Sequence, residues 1–211
     1  MNKLASLFSP LMKTVDQLTS EFELIPEDRK KLLKELTDFV EEKFKTHEEI
    51  SLNFICTHNS RRSHIAQIWA QTAAHYFNIS NVKCFSGGTE ATAFNPRAVK
   101  AMQDVGFNIS KVKEGDNPQY EVRFSSDAAQ IISFSKKYDD PLNQSKDFGA
   151  IMTCSHADDN CPMVLGASKR IAITYDDPKD FDGTTQEAEK YAERVREIGR
   201  EMLFVFSRIK V

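Results

Sequence analysis

Residues 54–64 read Phe54-Ile55-Cys56-Thr57-His58-Asn59-Ser60-Arg61-Arg62-Ser63-His64, and an α/β architecture follows from what flanks them. An apolar run leads in and predicts a strand over 50–55, while Ile65-Ala66-Gln67-Ile68-Trp69-Ala70 leads out at helical spacing and predicts a helix over 63–77. A short loop between a strand and a helix start turns its backbone N–H groups inward. The helix dipole adds positive potential, so residues 57–63 form an anion cradle: Thr57, His58, Asn59, Ser60, Arg61, Arg62 and Ser63. A thiolate suits that field, and Cys56 is read as a nucleophile. Arg62 offers a planar donor fork matched to two oxygens of a tetrahedral oxyanion, and Ser63 can donate a hydrogen bond to the sulfur. For a single cysteine at a strand end, burial as a structural residue is the plainer reading. The coincidence of strand, loop, arginine, serine and helix favours the nucleophile.

Two further stretches carry chemistry. Gly149 to Thr153 is apolar and predicts a central strand over 149–153, followed by Cys154-Ser-His-Ala-Asp-Asp-Asn-Cys161-Pro162. This is not the short Cys-x-x-Cys of a zinc ribbon. Cys84 is isolated and no second Cys/His pair completes a site, so no metal is expected. A polar, flexible segment would let Cys154 and Cys161 approach, and with Cys56 they can pass oxidising equivalents by successive exchange. The alternative is two unrelated loop cysteines. Further on, Ile171-Ala-Ile-Thr-Tyr-Asp176-Asp177-Pro178 predicts a strand over 170–174 that ends at paired acids, with proline fixing the turn. An acid there can stand over the cradle and protonate a leaving oxygen, although Asp-Pro is also an ordinary turn signal.

A strand over 82–86, with Val82, Cys84 and Ser86 on one side, and a helix over 95–105 continue the alternation. Together the four strands imply a parallel sheet flanked by helices, with the site at its carboxyl edge. A closing helix runs from about Thr185 to Ile209. Tyr120–Phe124 and Gln130–Phe134 predict a hairpin or flap inside an insertion over about 116–147. Ahead of the α/β domain, taken as 49–211, residues 1–48 form an N-terminal helical extension. Leu11, Val15, Leu18 and Phe22 make one stripe and Leu32, Leu33, Leu36, Phe39, Val40 and Phe44 another, so a helical hairpin turning near Pro26 is expected. Its apolar face must dock either on its own domain or across a homodimer interface.

Cys56-Thr-His-Asn-Ser-Arg-Arg62-Ser63, Ser86-Gly-Gly-Thr-Glu90, Asn95-Pro96, Cys154…Cys161-Pro162 and Asp176-Asp177-Pro178 together resemble the thioredoxin-coupled arsenate reductases. That family shares the fold of the low-molecular-weight protein tyrosine phosphatases. The likeness runs from about Ser51 to Val211 in one chain order, and the Cys154/Cys161 pair distinguishes the reductase branch. The resemblance implies Cys56 as nucleophile, Arg62 as oxyanion clamp, Ser63 as thiolate donor, Asn59 as organiser of the loop and Asp177 as general acid. It implies Cys154 and Cys161 as a disulfide shuttle, arsenate as substrate, no bound cofactor and thioredoxin as reductant. The rival it leaves is a phosphatase working through a Cys56 phosphoenzyme, with Tyr120 and Phe124 available to contact a phenyl ring. His58 stands where the family usually has glycine, which suits a negative φ there. Arg61 stands where cysteine is common, and Gln67 where potassium-binding members carry glutamate.

Net charge −3 without a basic face argues against a nucleic-acid partner. No stretch approaches the length of a membrane-spanning helix, and residues 1–10 lack the sustained apolar run of a signal peptide. Four cysteines, one of them reactive in character, suit a reducing cytoplasm better than a secreted disulfide framework.

Overall fold

The structure is a computed structural model describing residues 5–161 and 163–210. The sequence readings that touch residues 1–4, Pro162 and Val211 fall outside the described residues.

A four-stranded parallel sheet in the order β2-β1-β6-β7 organises the chain. Its strands are β1 (Ile50–Cys56), β2 (Val82–Gly88), β6 (Phe148–Met152) and β7 (Ala167–Ala172). Every residue of β1 is buried, as a central parallel strand covered on both faces requires. Leu52 and Phe54 face one side with Ile151 and Ile171, in the main core. That core is built with α2 (Glu27–Lys45), α3 (Arg62–Tyr76) and α6 (Glu187–Ser207). Ile55, Ala150 and Met152 face the other side, in a second buried cluster that also holds Cys56, Cys154 and Val164, near α5 (Ser155–Asn160). Gly199 lets α6 and α3 pack closely, because a Cβ there would lie 2.6 Å from the Trp69 ring. The register places Cys56 beside Gly88 and Ile55 beside Met152, so the strands end together at one edge.

Both extension helices dock on their own chain. α1 (Ser9–Ser20) and α2 each lie against α6, and α2 also reaches β1 and β7. Leu11, Val15, Leu18, Leu33, Leu36 and Val40 are fully buried. Of the two expectations for the apolar stripes, docking within the chain is therefore the one the structure presents. Arg29 fixes the arrangement by a two-pronged ion pair to Glu201, with N···O distances of 2.8 and 2.9 Å.

Two elements were not legible in the sequence. A three-stranded antiparallel sheet, β3-β4-β5, stands where only a hairpin was expected. Its extra member, β3 (Asn108–Lys113), buries only Ile109, so it carries no apolar alternation to read. The sheet thus begins ahead of the expected insertion and continues through β4 (Gln119–Arg123) and β5 (Ile131–Ser133). The segment between Cys154 and Cys161 is not irregular but helical, as α5. α4 (Pro96–Asp104) starts at Asn95, whose side chain caps it by accepting from the Arg97 N–H.

Candidate active site

Cys56 ends β1 and the next helix starts at Arg62, so residues 57–61 must reverse the chain in five steps. Asn59 makes this possible at φ +45°, a conformation asparagine tolerates better than most residues. The positive φ thus falls on Asn59, and His58 keeps a negative one. Gly88 backs the turn: a Cβ there would lie 2.7 Å from both the Asn59 nitrogen and the Thr57 oxygen. Asn59 Nδ2 donates to Ser63 Oγ at 2.8 Å, and its Oδ1 accepts from the Lys136 N–H at 2.9 Å. With Ser63 Oγ accepting from Asn59, the serine hydroxyl hydrogen is free for Cys56 Sγ, 3.1 Å away. The His58 carbonyl is held from outside by Thr92 Oγ1 and Ser135 Oγ, and the His58 ring lies 3.6 Å from Glu90.

Arginines and an acid close the mouth. Arg62 donates to the Tyr175 carbonyl at 2.9 Å and to Asp177 Oδ2 at 2.6 Å. Asp177 also accepts from the Lys179 N–H at 3.1 Å, which fixes its carboxylate at the start of a short 3-10 turn. Asp176, its neighbour, points outward and is almost fully exposed, 3.6 Å from Arg194. Cys56, His58, Ser60, Arg61, Arg62 and Asp177 line one small cleft. Arg61 lines it while its Nε donates to Tyr191 Oη at 2.9 Å, with Asp177 and Asp182 at 3.8 and 3.9 Å. Burial pushes the Tyr191 phenol up to about 12, so it stays protonated and donates in turn to Asp182 at 2.9 Å.

The other thiols are placed unequally. Cys154 is buried with Sγ 3.5 Å from Thr57 Oγ1, and it caps α5 by accepting from the Ala157 N–H at 3.4 Å. Cys161 lies half-buried at the far end of α5, its carbonyl accepting from Arg170 Nε at 3.1 Å. Cys84 is isolated in the core, and burial raises its thiol far above the ordinary range. The structure thus gathers Cys56, Arg62 and Asp177 in one cleft, sets Cys154 against the nucleophile loop and leaves Cys161 half-buried at the margin of the cluster that holds Cys56 and Cys154.

Tyr120 and Phe124 do not line that cleft. They are buried, with Tyr120 against Phe94 and Phe124 against His75, because β4 turns its apolar side inward. The supports that sequence reasoning missed are the Tyr175 carbonyl, the Tyr191–Asp182 pair, Ser135 and Lys136. A backbone carbonyl has no sequence signature, and the last two lie in the insertion, outside any motif. Gln67 is buried, donates to the Cys84 carbonyl at 3.0 Å and leaves its Oε1 without a partner. It shares a cavity with the Lys136 side chain. Gln67 thus brings no carboxylate to this position.

The chain is 34% identical over 150 residues to the arsenate reductase of Bacillus subtilis (strain 168), a match covering 71% of this chain and 89% of that protein. The chain belongs to the arsenate reductase family. The arsenate reductase of Bacillus licheniformis is 35% identical over 150 residues, with the same coverage of 71% and 89%. No protein-family model matches the chain. Among solved structures, a YwlE mutant from Bacillus subtilis aligns with a TM-score of 0.51 at 15% identity, over 77% of this chain and 99% of that one. At that identity the likeness speaks for the fold alone. It places this arsenate reductase family member on the expected phosphatase-like α/β scaffold. A low-molecular-weight phosphotyrosine phosphatase from Vibrio cholerae O395 aligns with a TM-score of 0.48 at 14% identity, over 75% of this chain and 94% of that one.

Proposed function

We propose that the chain reduces arsenate to arsenite with its own thiols. Arsenate lies in the cradle of residues 57–63, its oxygens held by loop N–H groups and by Arg62. Cys56 thiolate attacks arsenic, an S–As bond forms, and one oxygen departs as water with a proton from Asp177. Cys154 then attacks the sulfur of Cys56. The S–As bond breaks, its electron pair stays on arsenic, and arsenite leaves as Cys56–Cys154 becomes a disulfide. Cys161 attacks Cys154 next, freeing Cys56 and moving the disulfide to the Cys154–Cys161 pair. An external dithiol of the thioredoxin kind resets that pair, and a reducing cytoplasm is the compartment in which the cycle runs.

The observation that carries this reading is Cys154, buried with its sulfur 3.5 Å from Thr57 of the nucleophile loop and in one buried cluster with Cys56. A hydrolytic phosphatase has no use for a thiol there. The cleft also presents no phenylalanine, tyrosine or tryptophan among its lining residues. The test supplies arsenate, thioredoxin, thioredoxin reductase and NADPH, with an aryl phosphate assay run in parallel. Arsenate-dependent NADPH oxidation is expected. Aryl phosphate turnover without it would favour the phosphatase.

A further inference from the structure

β2 is an edge strand of the parallel sheet and β5 an edge strand of the antiparallel one, and residues of both, with α3, line a cavity of about 690 Å³. That volume suits a small molecule. Val82, Phe85, Phe124, Ile131, Phe134 and Leu142 give it apolar walls. Ile132 and Leu142 are exposed, so the cavity reaches the surface. The chain carries 31 acidic residues, yet none of them lines it, whereas Lys83, Lys136 and His75 do.

The two lysines differ. Lys83 is exposed and pairs with Glu49 at 2.7 Å. Lys136 is 7% exposed, and its Nζ stands 5.0 Å from the centre of the Phe134 ring on the cavity wall. Among the described residues no carboxylate forms an ion pair with it. Burial lowers this ammonium to about 8, against the pull of Asp140, so it is still mostly charged at neutral pH. A buried charge without a counter-ion costs stability that an entering anion would recover.

The same wall excludes an added β-strand, the other common guest of a sheet edge. Gln71 Nε2 donates to the Val82 carbonyl at 3.1 Å, and its Oε1 accepts from the Cys84 N–H at 2.9 Å. Gln67 donates to the Cys84 carbonyl at 3.0 Å and Asn143 to the Ser86 carbonyl at 3.1 Å. With those groups of β2 taken by side-chain amides, no backbone ladder is left there for a peptide. No arginine lines the cavity either, so it lacks the donor fork that a phosphate favours. One ammonium beside an aromatic ring, in an apolar recess, matches a flat, singly charged acid.

We propose that this cavity is a binding site for an aromatic carboxylate, its ring among Phe85, Phe124 and Phe134 and its carboxylate paired with Lys136. The site shares no lining residue with the Cys56 cleft, so the proposal stands apart from the arsenate chemistry.

The test is calorimetric titration of the full-length chain at pH 7 with naphthoate, with naphthamide (the same rings without the charge) and with acetate (the charge without rings). Naphthoate should bind as one molecule per chain, about 10-fold or more tighter than naphthamide, as a charge-assisted hydrogen bond implies. Acetate should give no measurable binding. Lys136→Met should bind naphthoate and naphthamide alike. Leu142→Asp, which sets an acid at an exposed position of the lining, should weaken naphthoate about 3–10-fold and leave naphthamide nearly unchanged. Arg62→Met should bind naphthoate as the native chain does. Absence of naphthoate binding, or equal native affinity for naphthoate and naphthamide, would overturn the proposal. So would binding lost in Arg62→Met and kept in Lys136→Met, which would put naphthoate in the Cys56 cleft. If Lys136→Met does not fold, Leu142→Asp decides: native affinity for naphthoate in that variant refutes the site.

Discussion

At the scale of single residues the assignment is most exposed at two adjacent acids. Strand alternation sends Asp176 and Asp177 to opposite sides, and it is Asp177 that meets Arg62 at 2.6 Å while Asp176 meets solvent. Asp177→Asn should therefore slow arsenate turnover by about 10²–10⁴-fold, the usual range for an acid–base group, with Asp176→Asn mild. Steady-state rates of the two variants check this, and the reverse order would reassign the role. That Cys56, Arg62 and Asp177 come together in one cleft could be read from the sequence, because each sits in a motif whose spacing is set by strand, loop and helix. The support that the Lys136 N–H gives Asn59 could not, since it is a long-range approach that no local pattern records. A second residue prediction concerns pH and stability. His64 is fully buried and held neutral, so its folded value is depressed while the unfolded value is ordinary. The unfolded chain thus binds the extra proton, and stability from this group is complete above about pH 6.5 and lost as pH falls below it. Urea unfolding between pH 7.5 and 5.5 should show a component of up to about 1.4 kcal/mol per pH unit that His64→Gln removes.

The element that matters most is α5, because the relay needs it to come apart. Cys154 and Cys161 stand at its two ends, seven residues apart in sequence. At about 1.5 Å rise per residue their Cα atoms are separated by roughly 10 Å, beyond the usual limit of about 7 Å for a disulfide. α5 must therefore unwind before that bond forms. It is built to do so: six residues, no apolar stripe, and a thiol as its N-cap. Arg170 is the clamp, donating to the carbonyls of Asp158 and Cys161 at 2.7 and 3.1 Å and pairing with the Asp158 carboxylate. Arg170→Gln should thus speed diamide-driven formation of the Cys154–Cys161 disulfide severalfold, read by thiol counting with mass spectrometry; an unchanged or slower rate would mean that α5 does not gate the step. The sequence suggested a flexible segment here, since a short polar helix leaves no periodic signal. What it did convey was the need for the two thiols to move together.

Across the whole molecule, the extension and the active site meet through Tyr175. Arg29 of α2 pairs with the buried Glu201 and lies 4.8 Å over the Tyr175 ring, while the Tyr175 carbonyl holds Arg62. The apolar spacing of residues 11–44 foretold two helices that must dock. Their destination on α6 was illegible, because a stripe does not name its partner. Arg29→Met would leave the buried Glu201 carboxylate without its guanidinium partner, a loss of about 3–5 kcal/mol measurable by urea unfolding. Removing residues 1–48 would in addition expose the face of α6 that Leu11, Leu33 and Leu36 cover, so the truncated chain should melt lower and be less soluble. A truncated chain as stable as the full one would show that the docked helices contribute little to the fold.

The relay is the central claim, and Cys161→Ser tests it most directly. With arsenate present and thioredoxin supplied, this variant should release about one arsenite per chain and stop. Intact-mass and peptide analysis should then find Cys56 joined to Cys154. Sustained turnover at the native rate, with no Cys56–Cys154 disulfide trapped, would contradict the account.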